Sequence, residues 1–493
     1  MNDMFSPETM ALLKASLANG QELNKATFNQ PGSATTGLQL YDLEAPAKNL
    51  YPVLTPLRNM IPRVSARGGI QANWRAVTAL GSFSGPQGVS EGRRAGLMSQ
   101  TVAEYYAAYR GLGLEASVSF EADMSSEGFD DLKARAVMGK LQQLMIDEEH
   151  TTLGGNAGTA LGTTPTPTLT TSTAGGALAA TTAHGVICVA LTYDGYRFNT
   201  TSLVQTYSRA NMDGTTETTN GGTAIQSARA PVTTGAGSTN SITATATAVR
   251  GAVAYAWYLG TTAGTERFVA ITTVNTYTFT AAVPGATQLA SALAATDYSR
   301  NTLVYDGLLG LIANSAGNSY YRSLNGATLT GDGTSGITEW DVALKSFWDN
   351  YRLSPTAIWI SSQEVAGIRK KVLGGGSAAS TGRFTFLSQQ GNLTGGGLVQ
   401  GYLNPYSMGG GPSEIPIRMH PTMPPGTVLF LTDTLPYALN NVDNIMQMRL
   451  RREYNQIEWP LRTRSYEFGT YMDGVLQHYF PPSMGIITNI ADG

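Results

Sequence analysis

Apolar and polar positions alternate along much of this chain, and helical spacing is confined to a few windows. Residues Gly69–Leu80 alternate loosely through Ile70, Ala72, Trp74 and Ala76, and Thr101–Glu121 alternate again through Leu112, Leu114, Ala116, Val118 and Phe120. Between them, Gly81–Gln100 is rich in Gly and Ser and carries Arg93 and Arg94. The pattern predicts a long β-hairpin whose polar tip cannot bury itself, so it is either mobile or packed on a partner. A helix is predicted from Ser125 or Ser126, with Phe129, Leu132, Val137, Leu141, Leu144 and Met145 at helical spacing and Gly154-Gly155 as its stop.

The ends and the middle of the chain read differently. Ser6 and Pro7 open a short amphipathic helix carrying Leu12, Leu13 and Leu17 and closing at Gly20. Five prolines between Gln30 and Pro62 favour an extended arm that crosses its own domain and reaches a neighbour. Short alternating runs at Val186–Leu191, Ile242–Val249, Val253–Leu259, Phe268–Ile271 and Tyr277–Thr280 predict an all-β sandwich. Its segment Val253–Leu259, with Trp257, looks like the Trp-bearing strand of an immunoglobulin-like domain. Thr356–Ile360 then predicts a strand, and Ser361 with Glu364 a capping box for the helix that follows it. An earlier helix is expected from Thr338, with Asp341 three residues on, and strands return from Val428 to Ile490.

Composition sharpens this layout. Lysine is absent between Lys140 and Lys345, and the early part of that gap is dense in Thr, Ala and Gly, which marks an inserted module. At roughly 150 residues per domain, the 493 residues suggest two to four domains. Only 14% of residues are charged, where about 25% is usual, and the net charge is −3. A generic electrostatic grip on nucleic acid or on an anionic membrane is thereby excluded. The lone Cys188 excludes an internal disulfide, and His150, His184, His420 and His478 are too scattered for a local metal motif. No export signal opens the chain, and no run of 18 apolar residues crosses a bilayer. A soluble protein made in a reducing cytoplasm is expected, structural rather than catalytic.

Three motifs imitate catalytic ones. Gly88-Val-Ser90-Glu-Gly92 fits a nucleophile elbow but has loop on both sides. Gly331-Asp-Gly333-Thr-Ser-Gly336 lacks the buried parallel strand that a dinucleotide fold requires, and Gly111–Ala116 runs into a strand, not a helix. No catalytic residue, cofactor site or metal site is therefore expected. Asp147, Glu148 and Glu149 crowd a helix C-terminus, where the macrodipole disfavours anions. They are either a solvated acidic turn or carboxylates compensated by a neighbouring subunit's arginines. Arg449, Arg451, Arg452, Arg462 and Arg464 are interleaved with Glu453, Glu458 and Glu467, which favours contact between subunits over contact with nucleic acid.

Taken in order, these parts resemble the tailed-phage major capsid proteins of the HK97 fold. Thr55-Pro-Leu-Arg58-Asn-Met-Ile-Pro62 looks like the arm entering the hairpin, which this family calls the E-loop. Phe129–His150 with Leu153-Gly-Gly-Asn156 looks like the spine helix and its turn, and Asp306–Leu311 like the segment that normally follows closely. The resemblance implies an α+β capsid fold interrupted by an immunoglobulin-like sandwich. It divides the chain into an N-terminal helix and arm (1–65), E-loop (66–121), spine helix (122–158), inserted sandwich (159–300), axial domain (301–427) and peripheral strands (428–493). It further implies hexamers and pentamers closing into an icosahedral shell around double-stranded DNA, assembled in a bacterial cytoplasm. Arg93, Arg94, Asp147, Glu148, Glu149, Arg449, Arg451 and Arg452 are the candidate intersubunit contacts. Some members crosslink through an E-loop lysine; Ser82–Leu97 contains none, so a shell held by non-covalent contacts is expected. The stretch before the arm is too short for a cleavable scaffold, so a separate scaffolding protein is expected, with portal and decoration proteins as further partners. A secreted adhesin or carbohydrate-binding protein is the alternative.

Overall fold

A computed structural model describes residues 48, 50–81, 88–127, 130–281, 285–333, 336–374, 399–407, 413–437 and 441–493, together with the short strand pairs 23–24/27–28 and 388–389/392–393. The amphipathic helix expected at Ser6–Gly20 lies outside the described residues. Two compact units divide the chain: residues 1–51 with 120–133, and residues 52–119 with 134–493. In the smaller unit a short helix covers Phe120–Ser126, and Lys133 Nζ lies 2.9 Å from the Asp123 carboxylate.

The larger unit begins with α1 (Pro56–Met60), which the prolines on either side keep short. β1 (Arg63–Ser65) follows and pairs in parallel with β19 (Met446–Glu458). Between β1 and the next strand, Gly68 and Gly69 take φ of 101° and 90°, a turn that disfavours side chains. β2 (Gln71–Gly81) and β3 (Ser99–Ala108) form a two-stranded antiparallel hairpin, with no third strand among the described residues. The sequence pattern predicted one continuous strand from Thr101 to Glu121. The structure breaks it at Tyr109, whose buried ring anchors a change of sheet, and β4 (Arg110–Ser119) pairs with β20 (Ser465–His478) instead. These strands form a four-stranded sheet in the order β1-β19-β20-β4.

The long helix, α3 (Leu132–Gly154), starts later than its spacing predicted, because the short helix at Phe120–Ser126, here α2, takes up the candidate cap serines. Its end holds: Gly155 N donates to Thr151 O, and Gly155 packs against the carbonyl of Tyr305 too closely to admit a side chain. The chain then leaves at Asn156 and returns at Asn301. Asn156 Nδ2 donates to Ser299 O at 2.9 Å, and Asn301 N donates to Asn156 O at 2.8 Å, so exit and re-entry lie side by side.

Between these points two sheets face each other. One has the order Ala230–Thr233, Ala183–Leu191, Ala254–Gly260, Arg267–Thr272; the other Thr276–Phe279, Ser241–Thr245, Thr168–Ser172. Trp257, Cys188, Val186 and Leu259 from the first meet Ile242, Ala244 and Phe279 from the second in one buried cluster. Alternate residues of the same first sheet, Ile187, Val189, Leu191 and Tyr258, are buried on its opposite face by Leu203, Ala290 and Leu293. The strand carrying Trp257 is therefore covered on both sides and reads as an unbroken apolar run. The Trp257 indole donates to Thr272 Oγ1 at 2.8 Å, satisfying the only polar atom the ring brings into the core.

After re-entry, helices Leu308–Ala313, Thr338–Tyr351 and Ser362–Gly374 accompany a six-stranded mixed sheet whose central strands are Val428–Leu431 and Ala357–Ile360. Trp340, Phe347, Ile358, Phe430 and Ile487 fill the core between them. The expected caps differ in detail. The cap position of helix 338–351 is Ile337, and Asp341 instead accepts a hydrogen bond from Tyr402 Oη at 2.7 Å. Ser361 donates to the Glu364 carboxylate, whose other oxygen accepts Gly426 N at 2.9 Å, so Glu364 ties the helix start to a distant turn.

Candidate assembly surface

The hairpin is the least self-sufficient part of the larger unit. Eleven residues of β2 extend about 35 Å at roughly 3.3 Å per residue. Two isolated strands are marginal in water, and this pair exposes apolar side chains on both faces. Leu97 is 98% exposed, Ile70 80% and Tyr106 72%, and Val77, Leu80, Met98 and Val102 are also open to solvent. Cross-strand contacts keep the ribbon straight without burying it: Trp74 stacks on Tyr105 with centroids 6.1 Å apart, and Arg75 Nε lies 3.5 Å from Glu104 Oε1. An exposed apolar patch of this kind is a candidate interaction surface. Arg93 and Arg94 sit at its exposed end, where Ser90 accepts only a backbone hydrogen bond in a solvent-facing turn.

The root of the hairpin, by contrast, is clamped. Arg451 is held by Asp473, with its Nε 2.7 Å from the carboxylate. Its Nη1 donates to Gly69 O at 3.3 Å, and its guanidinium lies 5.9 Å from the Tyr109 ring centroid. One side chain thus touches both the entry and the exit of the ribbon. Arg449 lies on the same face and contacts Gln477 Oε1 at 3.3 Å, while Arg452 is exposed at a bulge in β19.

The acidic run at the end of α3 binds the arm of its own chain. Glu149 is buried, and its carboxylate accepts Leu57 N at 2.9 Å and Arg58 N at 2.7 Å, the free donors at the start of α1. Thr55 makes no side-chain cap, so Glu149 performs that task from another element. Its Oε1 also lies 2.6 Å from His420 Nε2. His420 Nδ1 accepts Thr422 N at 3.3 Å, which places the imidazole proton on Nε2, donating to Glu149. Glu148 is fully buried and meets Arg58 Nε at 3.0 Å, Arg63 Nη1 at 2.6 Å and the Tyr454 hydroxyl. Both guanidinium groups lie 5.2 Å from the Tyr454 ring centroid.

Two expectations are corrected here. Glu148 and Glu149 are neither solvated nor left to a neighbour's arginines, because Arg58, Arg63 and His420 of the same chain enclose them. Arg451 is likewise occupied within the chain. Asp147 alone of the acidic run is partly open, 3.6 Å from Arg197 Nη2; burial pushes its pKa up and Arg197 opposes the shift. Beside it, His150 Nδ1 lies 2.8 Å from the Tyr193 hydroxyl, and burial, with Arg197 and His420 nearby, lowers its pKa to about 4. Sequence reasoning missed Arg58, Arg63, Tyr454 and His420 as partners. The two arginines five residues apart in a proline-rich arm were the available signal, since an extended segment holds such charges only against opposite ones.

Among the described residues, no group of three His, Cys, Asp or Glu side chains could hold a metal ion, and no helix is long and apolar enough to cross a membrane. No family model and no curated protein matches the chain. Solved structures do resemble it. The capsid of the native GTA particle is 9% identical, with a TM-score of 0.45 over 94% of this chain and 100% of that one. The capsid structure of cyanophage P-SCSP1u is 8% identical, with a TM-score of 0.40 over 100% of both chains. The cyanophage A-1(L) capsid is 12% identical, with a TM-score of 0.41 over 92% of this chain and 98% of that one. At these levels of likeness, functional weight falls on the geometry above.

Proposed function

We propose that the chain is the major capsid protein of a tailed phage, building hexamers and pentamers of an icosahedral HK97-type shell around double-stranded DNA. The observation that carries this reading is the unsupported hairpin. A ribbon about 35 Å long, clamped only at its root and apolar on both faces, gains its stability from a neighbouring copy. The buried anchoring of α1 by Glu149 fixes that helix against the end of α3. Arg93 and Arg94 at the hairpin end, with Arg452, are the intersubunit contacts we assign. With no lysine in the hairpin end, the shell is held by non-covalent contacts.

Residues 159–300 are the inserted module, with its exit and return side by side; residues 301–427 form the axial domain and 428–493 the peripheral strands. The role is structural rather than enzymatic, the place is the virion, and assembly occurs in the host cytoplasm with a separate scaffolding protein. Portal and decoration proteins are its further partners, and DNA is held by weak, non-specific contact. Nothing in the geometry favours the adhesin. Replacing Val102 and Tyr106 by Asp tests the reading. Both are exposed, so the fold stays within about 0.5 kcal/mol of the parent, while rings and shells seen by negative-stain electron microscopy disappear. A variant that forms rings and shells as readily as the parent, or a parent that forms none even when the scaffolding protein is supplied, refutes the proposal.

A further inference from the structure

A cavity of about 490 Å³ opens where the inserted module joins the rest of the subunit. The module lines it with its exit segment, 158–160, and with Arg250. The segment that follows the point of return contributes Asp306, Leu311, Asn314 and Ser315. The volume is that of a small-molecule site. Ala160 and Ser315 on its wall are exposed, so solvent reaches it freely.

The wall carries two opposite charges that do not neutralise each other. The Arg250 guanidinium lies 5.3 Å from the Tyr321 ring centroid, and its Nε and Nη2 donate to Ile312 O and Ser319 O, both at 3.0 Å. These acceptors are neutral, and among the described residues no carboxylate pairs with Arg250. Desolvation accordingly draws its pKa below the ordinary 12.5, with only Tyr321 opposing the shift. Its Nη1 has no partner among the described residues and is not sealed from solvent. Asp306 Oδ1 accepts Ala157 N at 2.7 Å and Gly158 N at 2.8 Å, while Oδ2 has no hydrogen bond and no cation pairs with it among the described residues. Backbone groups pin both side chains, so neither swings across to the other. Opposite charges fixed on the wall of one concave site favour a ligand that carries both.

We propose that this cavity binds a small zwitterion, its carboxylate on Arg250 and its ammonium group on Asp306. Free amino acids and short peptides have this chemistry. Arg250 belongs to the module and Asp306 to the point of return, so a bound molecule ties the two together. The site lies within one subunit and stands independently of the assembly reading above. Its test uses unassembled full-length subunits in three forms: parent, Asp306→Asn and Ser315→Trp. Asp306→Asn keeps an oxygen for Ala157 N and Gly158 N but loses the charge. Ser315→Trp plugs the cavity from an exposed position and leaves both charged groups in place. Each form is unfolded by heat in rising concentrations of glycine, β-alanine, 4-aminobutyrate and 6-aminohexanoate, whose charges lie progressively further apart.

At least one member of the series raises the parent's midpoint, with half-saturation on the order of 1–10 mM for so small a ligand. Asp306→Asn weakens that binding about tenfold, the loss of one charge-assisted contact, and Ser315→Trp abolishes it. Saturation separates the site from the general stabilising effect of excluded osmolytes, which grows steadily with concentration and is the same in all three forms. Butylamine and butyrate, with one charge each, leave the midpoint where it was. The inference fails if no member of the series gives a saturating rise, or if the rise survives either variant unchanged. A rise of equal size with butyrate or butylamine overturns it as well, since one charge then suffices.

Discussion

Replacing Glu148 tests whether the buried ion cluster fixes the arm. In Glu148→Ala the carboxylate leaves, and Arg58 and Arg63, with side chains only 15% and 19% exposed, lose their shared counter-charge. Tyr454, whose pKa burial and Glu148 push up to about 12, loses its acceptor as well. Breaking a buried pair by removing one partner costs about 3–5 kcal/mol, because an uncompensated charge stays behind. We place Glu148→Ala in that range, measured as the loss of unfolding free energy of unassembled subunits in urea. Glu148→Gln keeps the shape and loses the charge, and falls at about 2–3 kcal/mol from the weakened charge-assisted hydrogen bonds. The triple replacement Arg58→Met, Arg63→Met, Glu148→Leu recovers most of the stability, since apolar groups of similar volume need no partner. Hydrogen exchange of residues 56–65 reads the arm directly and accelerates in both single variants. Single variants within 0.5 kcal/mol of the parent, with unchanged exchange, would show that apolar packing of Leu57 and Ile61 alone holds the segment.

Two further outcomes follow from burial elsewhere. Burial lowers the pKa of His478 from 6.5 to about 3, so the unfolded chain binds a proton the folded chain refuses. Its contribution is intact above about pH 6.5 and is lost as pH falls toward 3, by on the order of 5 kcal/mol in full. His478→Asn, which keeps an acceptor for Phe480 N, flattens that acid limb in denaturation curves taken from pH 7 to pH 4; an unchanged slope excludes His478 as its source. Cys188 is buried in the sandwich with its thiol pKa pushed up by burial, so a thiol reagent at pH 8 labels it only after unfolding. Fast labelling of the native chain would contradict the two-sheet core around it.

Local patterning determined a good deal of this protein. Alternation marked both strands of the hairpin and five strands of the sandwich, and the glycine pair at 154–155 stopped the long helix where expected. These signals are local: side-chain period and glycine conformation act within a few residues of one another. The missed strands, such as Thr168–Ser172 and Thr206–Ala210, are short, polar and largely exposed, so no run of alternating apolar residues marks them. Only tertiary structure decided that Thr101–Glu121 divides between two sheets at Tyr109. It alone matched Glu148 and Glu149 with Arg58, Arg63 and His420, partners up to 271 residues away. A carboxylate reads the same in sequence whether water, a neighbour or its own chain neutralises it. The difference lies in burial, which makes an unpaired charge intolerable and so requires the partner to be brought to it.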